Sequence, residues 1–175
     1  MDRCPAASTN MPPPRPIGLG GGFYFLIRLE RDVNYKTTNQ LSSANAGYIA
    51  GLIDGEGTIA LTRKHSTDNR QLGISISSTD RPMLEFVQEI TGVGKVTNKK
   101  TYRDHHLPSY TYAVYNRQAL TLLRQIAPLL RTYKSARAKL ILDNYVALTP
   151  RNGKYTTELA SRREEFIEEV MNIKA

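Results

Sequence analysis

The chain has 175 residues, of which 40% are hydrophobic and 23% charged, and this composition is typical of one folded globular domain. Its single cysteine excludes a disulfide framework and a cysteine-based zinc site. No stretch approaches the roughly eighteen consecutive apolar residues of a membrane helix, so we expect no membrane partner.

Positive charge is concentrated in the middle of the chain. The formal net charge is +8, and residues 60–140 carry fourteen Lys or Arg against five Asp or Glu. From residue 155 onward, acids outnumber bases. A basic region of this kind predicts a polyanionic partner, and nucleic acid is the main candidate. A basic surface that is merely solvated is the alternative.

The N-terminal part divides into two predicted segments. Residues 1–22 are rich in Pro and Gly without any hydrophobic period, so we expect them to be disordered. Residues 23–43 are interpreted as an arm or linker. They either form a short element that docks on the core or reach a partner. The folded domain is predicted over residues 44–175.

The folded part begins with a predicted helix from about Ala46 to Asp54. Ser42, Ser43 and Asn45 are its candidate N-caps. Two segments with alternating apolar residues, TIALTRKH and RQLGISISS, follow on either side of a polar turn. This pattern predicts a β-hairpin.

The rest of the chain repeats this pattern and extends it. RPMLEFVQEI is a predicted helix, capped by Thr79 or Asp80 and ended by Gly92. KVTNKKTYR and LPSYTYAVY predict a second hairpin, and three further helices are predicted in RQALTLLRQIAPLL, KSARAKLILDNYVAL and TTELASRREEFIEEVMNI. The element order α-β-β-α-β-β-α-α-α defines an α+β fold with antiparallel strands.

Alternation gives the strands one apolar face and one polar face with almost no acid. A polar and basic sheet face can lie along DNA, although an ordinary solvated face has a similar composition. The predicted DNA-facing residues are Ala60, Thr62 and Lys64, then Gln71, Gly73, Ser75 and Ser77, then Lys95, Thr97 and Lys99, and finally Thr111, Ala113 and Tyr115. Candidates for phosphate contacts are Arg63, Arg70, Lys100, Arg103 and Arg137.

Three glycines, Gly47, Gly51 and Gly55, recur every fourth residue in the first helix. A helical glycine costs about 1 kcal/mol relative to alanine. Residues four apart share a helical face, so the spacing predicts a smooth stripe, completed by Ala50 and Asp54, that another backbone can approach closely. The partner is either the same helix of a second subunit on a two-fold axis or a part of the same chain. The apolar face predicted to pack on the core consists of Tyr48, Ile49, Leu52 and Ile53.

Two acids, Asp54 and Glu56, end the first helix, where the helix dipole disfavours negative charge. A two-fold crossing would bring both copies of each acid together beneath the polar sheet faces. Clustered carboxylates need cations, and Mg²⁺ prefers carboxylate and phosphate oxygens. A metal held there can activate water and stabilise a leaving oxygen, so two such sites suit the cutting of both DNA strands.

The segment IAGLIDGEG, residues 49–57, resembles the signature of the LAGLIDADG homing endonucleases. It departs from that signature at Ile49, Gly55 and Glu56, all conservative changes. The resemblance implies an αββαββα fold whose saddle-shaped four-stranded sheets straddle double-stranded DNA. It also implies an intracellular, intron-encoded homodimer that cuts near-palindromic sites with Mg²⁺ and leaves 3′ overhangs. Mn²⁺ could replace Mg²⁺, and Ca²⁺ would be a substitute that does not support cutting.

The same resemblance implies roles for individual residues. Glu56 matches the acidic metal ligand, one per subunit, and Gly55 would supply its backbone carbonyl to the metal. Asp54 would instead help to cap and pack the helix pair. Asp80 matches a polar position near the metal-bound water, where Gln or Asn is frequent, or it is merely an N-cap. Lys134 matches a lysine near the scissile phosphate if one residue is inserted; otherwise Tyr133 occupies that position.

Two other functions remain open on the same fold. One is an RNA maturase that binds intron RNA and aids splicing without cutting DNA. The other is a DNA-binding protein that has lost its nuclease activity. Glu56 is retained, which favours the nuclease but does not exclude a bifunctional protein.

Overall fold

The computed structural model describes residues 36–99, 107–150 and 153–174. The predicted segment 1–22, most of the predicted arm 23–43, and the candidate phosphate contacts Lys100 and Arg103 lie outside the described residues. Among the residues described, no helix combines the length and apolar character needed to cross a membrane. The elements in chain order are α1 Ser43–Glu56, β1 Gly57–Thr62, β2 Gln71–Ser78, α2 Arg81–Thr91, β3 Lys95–Asn98, β4 Tyr110–Tyr115, α3 Asn116–Ile126, a 3₁₀ turn Ala127–Leu129, α4 Lys134–Asn144 and α5 Thr157–Asn172.

The four strands form one antiparallel sheet in the order β1-β2-β4-β3. The register places Ile74 between Ile59 and Val114, so that apolar residues line one face of three neighbouring strands. These side chains are buried together with apolar residues from α1, α2, α3, α4 and α5. The predicted α+β order is confirmed, and so is the register of the last strand, where Tyr112 and Val114 are buried.

Helix α1 passes into strand β1 without an intervening loop. Ser42 caps its N-terminus by accepting a hydrogen bond from the Asn45 N–H at 3.2 Å. At the other end, the N–H of Gly57 donates to the Ile53 carbonyl. A Cβ atom on Gly57 would lie 2.5 Å from Ile53 Cα, so the close approach of helix and strand requires glycine here. Glu56 is therefore held rigidly at the junction.

The final residues of the predicted 23–43 arm belong to the folded domain. Asn39 N–H donates to the Thr91 carbonyl at 2.9 Å, and Leu41 N–H donates to Gln125 Oε1 at 2.8 Å. Residues 36–42 thus lie along the end of α2 and along α3. The predicted boundary at residue 44 is too late, because these contacts involve mainly backbone groups, which leave no mark on the hydrophobic pattern.

Gly57→Ala is expected to destabilise the protein by about 2 kcal/mol, because the added methyl group overpacks the helix–strand junction. Urea unfolding of the full chain measures this loss. Thr58→Ala, at the exposed neighbouring position, is the matched control and should cost about 0.5 kcal/mol or less. Equal stabilities for the two variants would contradict the close approach of Gly57 to Ile53.

Candidate functional site

The outer face of the sheet is polar and lacks acids in the strands described. Cross-strand rows run Ala60–Gly73–Tyr115 and Ser77–Thr111–Thr97. Between them, Ser75 and Ala113 are paired. The predicted face is thus one continuous surface. The residues that the register brings together on it are Ala60, Thr62, Gln71, Gly73, Ser75, Ser77, Lys95, Thr97, Thr111, Ala113 and Tyr115.

Three predicted contacts differ from this pattern. Gly73 is buried, because a Cβ atom there would meet Thr62 Oγ1 at 3.1 Å and the ring of Tyr115 at 3.2 Å. It makes room for Tyr115 and offers no side chain to a partner. Lys64 and Lys99 lie just beyond the ends of β1 and β3, where both are exposed.

Two of the arginines predicted to contact phosphate are used inside the protein. Arg70 Nη1 donates to the Leu61 carbonyl at 3.0 Å, and Arg137 Nη1 donates to the Ile59 carbonyl at the same distance. Both carbonyls belong to β1, which is an edge strand, so the guanidinium groups satisfy backbone groups that no strand pairs with. Arg63 remains exposed and donates to the Ser66 carbonyl within its own turn.

A further arginine, which no sequence pattern reveals, is buried near the start of β2. Arg163 of α5 is 4% exposed and donates to the Leu148 carbonyl, to Thr149 Oγ1 and to the Arg70 carbonyl. Its guanidinium lies 5.1 Å from the centre of the Tyr155 ring. The surrounding segment SRREE has the composition of a solvated, charged helix face. Its composition therefore does not reveal that one of its arginines is buried.

The end of α1 is joined to the first residue of α4 and to the segment before α4. Lys134 is only 6% exposed, and its Nζ donates to the carbonyls of Ile53 at 2.6 Å and Asp54 at 3.0 Å. A buried ammonium at the C-terminus of α1 compensates the negative end of the helix dipole. These two hydrogen bonds hold the Lys134 ammonium at the end of α1, close in sequence to Gly55 and Glu56. That Lys134 lies near a scissile phosphate stays a prediction.

Asp54 forms the second link. Its carboxylate accepts hydrogen bonds from Thr132 Oγ1 at 2.6 Å and from the Arg131 N–H at 2.7 Å. Partial burial would raise the pKa of Asp54, but these hydrogen bonds together outweigh burial and hold the pKa below its ordinary value. The prediction that Asp54 completes an outward-facing stripe is wrong, since its side chain is directed to a loop of its own chain.

The prediction of which α1 residues are exposed and which are buried is also wrong at two positions. Ala50 is 1% exposed and belongs to the core, not to the stripe. Tyr48, predicted to be in the core, is 44% exposed and packs edge-on against Phe86 at 5.8 Å between ring centres. The glycine spacing identifies the exposed face but not its width, and an aromatic ring can lie on the rim of such a face.

Gly47, Gly51 and Gly55 are exposed, and a Cβ atom added to any of them would meet nothing within 4 Å. None has a positive φ, so neither space nor backbone conformation within the described chain requires glycine at these three positions. The alternative that the stripe packs within the described part of its own chain is therefore not borne out.

Glu56 is exposed at the last position of α1, next to the exposed Gly55. The described residues contain no group of three or more His, Cys, Asp or Glu side chains placed to hold a metal ion. One described chain thus offers one carboxylate and a neighbouring backbone carbonyl, a set of hard oxygen donors that suits Mg²⁺ or Ca²⁺ but requires further ligands. Asp80 accepts a hydrogen bond from the Met83 N–H at 3.2 Å, so it is the N-cap of α2.

The family model of the LAGLIDADG endonucleases matches residues 49–148, which is more than half of the chain. The chain therefore belongs to the LAGLIDADG homing endonuclease family. The match begins inside α1 and covers the rest of that helix, both hairpins, and the helices α2, α3 and α4.

Solved structures share the fold. The homing endonuclease I-CvuI bound to its target in the presence of calcium is 21% identical with a TM-score of 0.59, over 75% of this chain and 82% of that chain. I-CvuI with the I-CreI target and magnesium, whose DNA is not cleaved, is 20% identical with a TM-score of 0.56 over the same shares. The archaeal intron-encoded homing endonuclease I-Vdi141I, complexed with DNA, is 18% identical with a TM-score of 0.52, over 75% and 85%.

Asp54→Asn is expected to lower stability at pH 7 and to lose this effect in acid. A carboxyl whose pKa is lowered by folding stabilises the protein fully above its unfolded pKa, near 3.8, and the contribution disappears as pH falls through the lower folded value. Urea unfolding at pH 7 and at pH 3 should therefore show a gap between parent and variant that narrows in acid.

The matched control for this measurement is Asp143→Asn, which removes an exposed carboxylate from α4. It should change stability little at either pH. A gap for Asp54→Asn that stays constant between the two pH values would contradict the link between Asp54 and the segment before α4.

Proposed function

We propose that the protein is a site-specific endonuclease that cuts double-stranded DNA as a homodimer with the help of divalent metal ions. The observation that carries this proposal is the bare glycine face of α1, which ends at an exposed carboxylate, Glu56. The face and the acid have no function in the described single chain, and both gain one when a second copy is added.

The dimer follows from the cost of the glycines. Gly47, Gly51 and Gly55 each cost about 1 kcal/mol relative to alanine in a helix interior. Close backbone packing across a two-fold axis would offset that cost, because no side chain separates the two helices. A second copy of α1 carries the same smooth face and is therefore a self-complementary partner.

The dimer in turn completes the metal donors. Crossing of two α1 helices at their glycine faces brings both Glu56 carboxylates and both Gly55 carbonyls near the two-fold axis. Phosphate oxygens of bound DNA would complete these oxygen-rich sets, for which Mg²⁺ is the favoured ion, Mn²⁺ a substitute, and Ca²⁺ a substitute that supports binding without cutting. Bound there, the ion supplies Lewis-acid activation of water and stabilisation of the leaving oxygen.

DNA recognition is assigned to the outer face of the sheet. The face is acid-free in the described strands, and Lys64, Lys95 and Lys99 lie on it or at its ends. Lysines there would neutralise phosphates, while Gln71 and the hydroxyl side chains would read base edges. Two such faces related by a two-fold axis suit a near-palindromic site, with both strands cut and 3′ overhangs left. A protein with this substrate acts inside the cell, where its host genome lies.

Glu56→Gln should reduce cutting by about a hundredfold or more while binding is retained, because the change removes a metal-ligand charge and keeps the shape of the side chain. The measurement is a cleavage selection on a randomised DNA library with Mg²⁺, and binding to the recovered site with Ca²⁺. Glu164→Gln, an exposed acid of α5, is the charge-matched control and should cut as the parent does. Undiminished cutting by Glu56→Gln would refute the assignment.

Binding without cuts by the parent in either metal would instead favour the inactive DNA-binding protein, and intron RNA would then be tested for the maturase.

Gly51→Leu is expected to convert the dimer to a monomer, because an isobutyl group in the open space above Gly51 would keep the two helices apart. Sedimentation velocity across a concentration series measures the state. The control is Ser161→Leu, which adds the same side chain at an exposed position of α5 and should leave the dimer intact. A monomeric parent protein would contradict the two-fold proposal.

A further inference from the structure

A chain of hydrogen bonds runs from the core to the outer face of the sheet. The Leu72 N–H donates to Tyr145 Oη at 3.0 Å, Tyr145 donates to Asn116 Oδ1 at 2.9 Å, and Asn116 Nδ2 donates to Gln71 Oε1 at 2.6 Å. Gln71 lies at the start of β2 on the outer face. The chain thus ends at a side chain on the face that the proposed function assigns to DNA.

The polarity of this chain is determined at its buried end. A backbone N–H can only donate, so Leu72 makes Tyr145 Oη an acceptor at that contact. Leu72 lies one residue beyond the last β2–β4 pair, Gly73 with Tyr115, and the tyrosine takes the place of a strand partner. Burial raises the pKa of Tyr145, so its hydroxyl stays protonated at neutral pH and donates onward to Asn116.

The orientation of both amides follows from that polarity. Because Asn116 uses Oδ1 to accept from Tyr145, its Nδ2 is directed to Gln71, and Gln71 must turn its Oε1 inward. Asn116 is held at φ 54° at the junction of β4 and α3, a left-handed conformation that asparagine tolerates better than most residues. Within the described chain, Gln71 Nε2 has no partner and is left for a ligand.

The hydroxyl pair of Ser77 and Thr111 on the same face is not polarised in this way. Ser77 Oγ and Thr111 Oγ1 lie 2.9 Å apart, and either can be the donor, so the pair can adapt to a donor or an acceptor. An unrestrained glutamine would also adapt, because its amide can turn over. Gln71 is the polar group of this face whose polarity the protein sets from its core.

We propose that Gln71 is a specificity-determining residue that presents only its amide N–H donors to a base in the major groove. The proposal rests on the proposed function, in which the outer face contacts DNA. It predicts a preference at one position of each half-site for bases that offer acceptors there, namely guanine O6 and N7 or thymine O4; adenine offers its N7 acceptor beside an N6 donor and should rank below them. Cytosine, which offers its N4 donor, is disfavoured. Adenine is read best by an amide that offers both ends, and Oε1 is already occupied by Asn116.

The deciding variant is Asn116→Asp. In this variant Oδ1 still accepts from Tyr145, and the second carboxylate oxygen stands where Nδ2 stood. That oxygen can only accept, so the Gln71 amide turns over, donates its Nε2 to Asp and presents Oε1 to the base. The preference at that position should change by about fivefold or more, from guanine or thymine towards cytosine or adenine. Asn116→Gly is the matched control, since it permits the positive φ and removes the amide; the preference should weaken without inverting.

The experiment recovers bound sequences from a randomised duplex library in Ca²⁺ for parent, Asn116→Asp and Asn116→Gly. A ratio between bases at one position is insensitive to the uniform loss of affinity that an added negative charge causes. Inversion at one position per half-site supports the proposal. Discrete sites from the parent with an unchanged base pattern in Asn116→Asp overturn it and leave the nuclease proposal intact. Failure of the parent to select any sequence overturns both.

An NMR measurement tests the orientation without DNA. In the ¹⁵N-labelled parent, the one Asn116 amide proton that is donated to Gln71 should exchange with water more slowly than the amide protons of Gln71, although Asn116 is exposed. Tyr145→Phe breaks the chain and should abolish the protection of Asn116. Protection of the Gln71 amide protons in the parent would overturn the assigned polarity, whatever DNA the protein binds.

Discussion

The rest of the candidate site depends on the way the end of α1 is held. The buried ammonium of Lys134 binds the carbonyls of Ile53 and Asp54, and the Asp54 carboxylate binds the segment before α4. Each partner satisfies a group that would otherwise be costly, because a helix C-terminus leaves carbonyls unpaired and disfavours a nearby negative charge. With this end anchored, the Glu56 side chain is exposed at a place where the dipole of an isolated helix would disfavour an acidic residue.

The positive charge of the chain is divided between two uses. Arg70 and Arg137 donate to backbone carbonyls of the edge strand β1, and Arg163 donates to the carbonyls of Leu148 and Arg70. Lysines lie on the outer sheet face and at its ends. The division is not strictly one of residue type, because Lys134 is also buried and Arg63 is exposed. A planar guanidinium nevertheless offers several fixed donors, which suits it to backbone carbonyls. Net charge therefore overstates the number of phosphates that the protein can neutralise.

Much of the fold follows from local patterns in the sequence. Alternation in TIALT and LGISIS predicts β1 and β2 with the correct faces, and Gly92 ends α2 as expected, with φ 69°. The register of β4 follows from treating Tyr112 and Val114 as core. These features are determined within a few residues, so that a single sequence is enough to find them.

The parts that could not be predicted depend on contacts distant in sequence. The internal roles of Arg137 and Lys134 depend on carbonyls about eighty residues earlier in the chain. A single sequence does not distinguish a basic side chain that faces water from one that donates to a backbone carbonyl. The sequence pattern wrongly predicts Ala50 on the exposed face of α1 and Tyr48 in the core. Apolar spacing gives the direction of a helical face but not its boundaries. The polarity of Gln71 requires three side chains from three elements, which no local pattern connects.

The absence of a loop between α1 and β1 has a mechanical consequence. Gly57 is packed so closely on Ile53 that the helix and the first strand of the sheet form one rigid unit. In a two-fold dimer, the helix would define the axis and the strand would lie on the DNA, so the crossing angle of the helices would set the distance between the two half-sites. Spacing and base preference would then be controlled by different residues, the first by the glycine face and the second by the sheet. Each could change in evolution while the other stays the same.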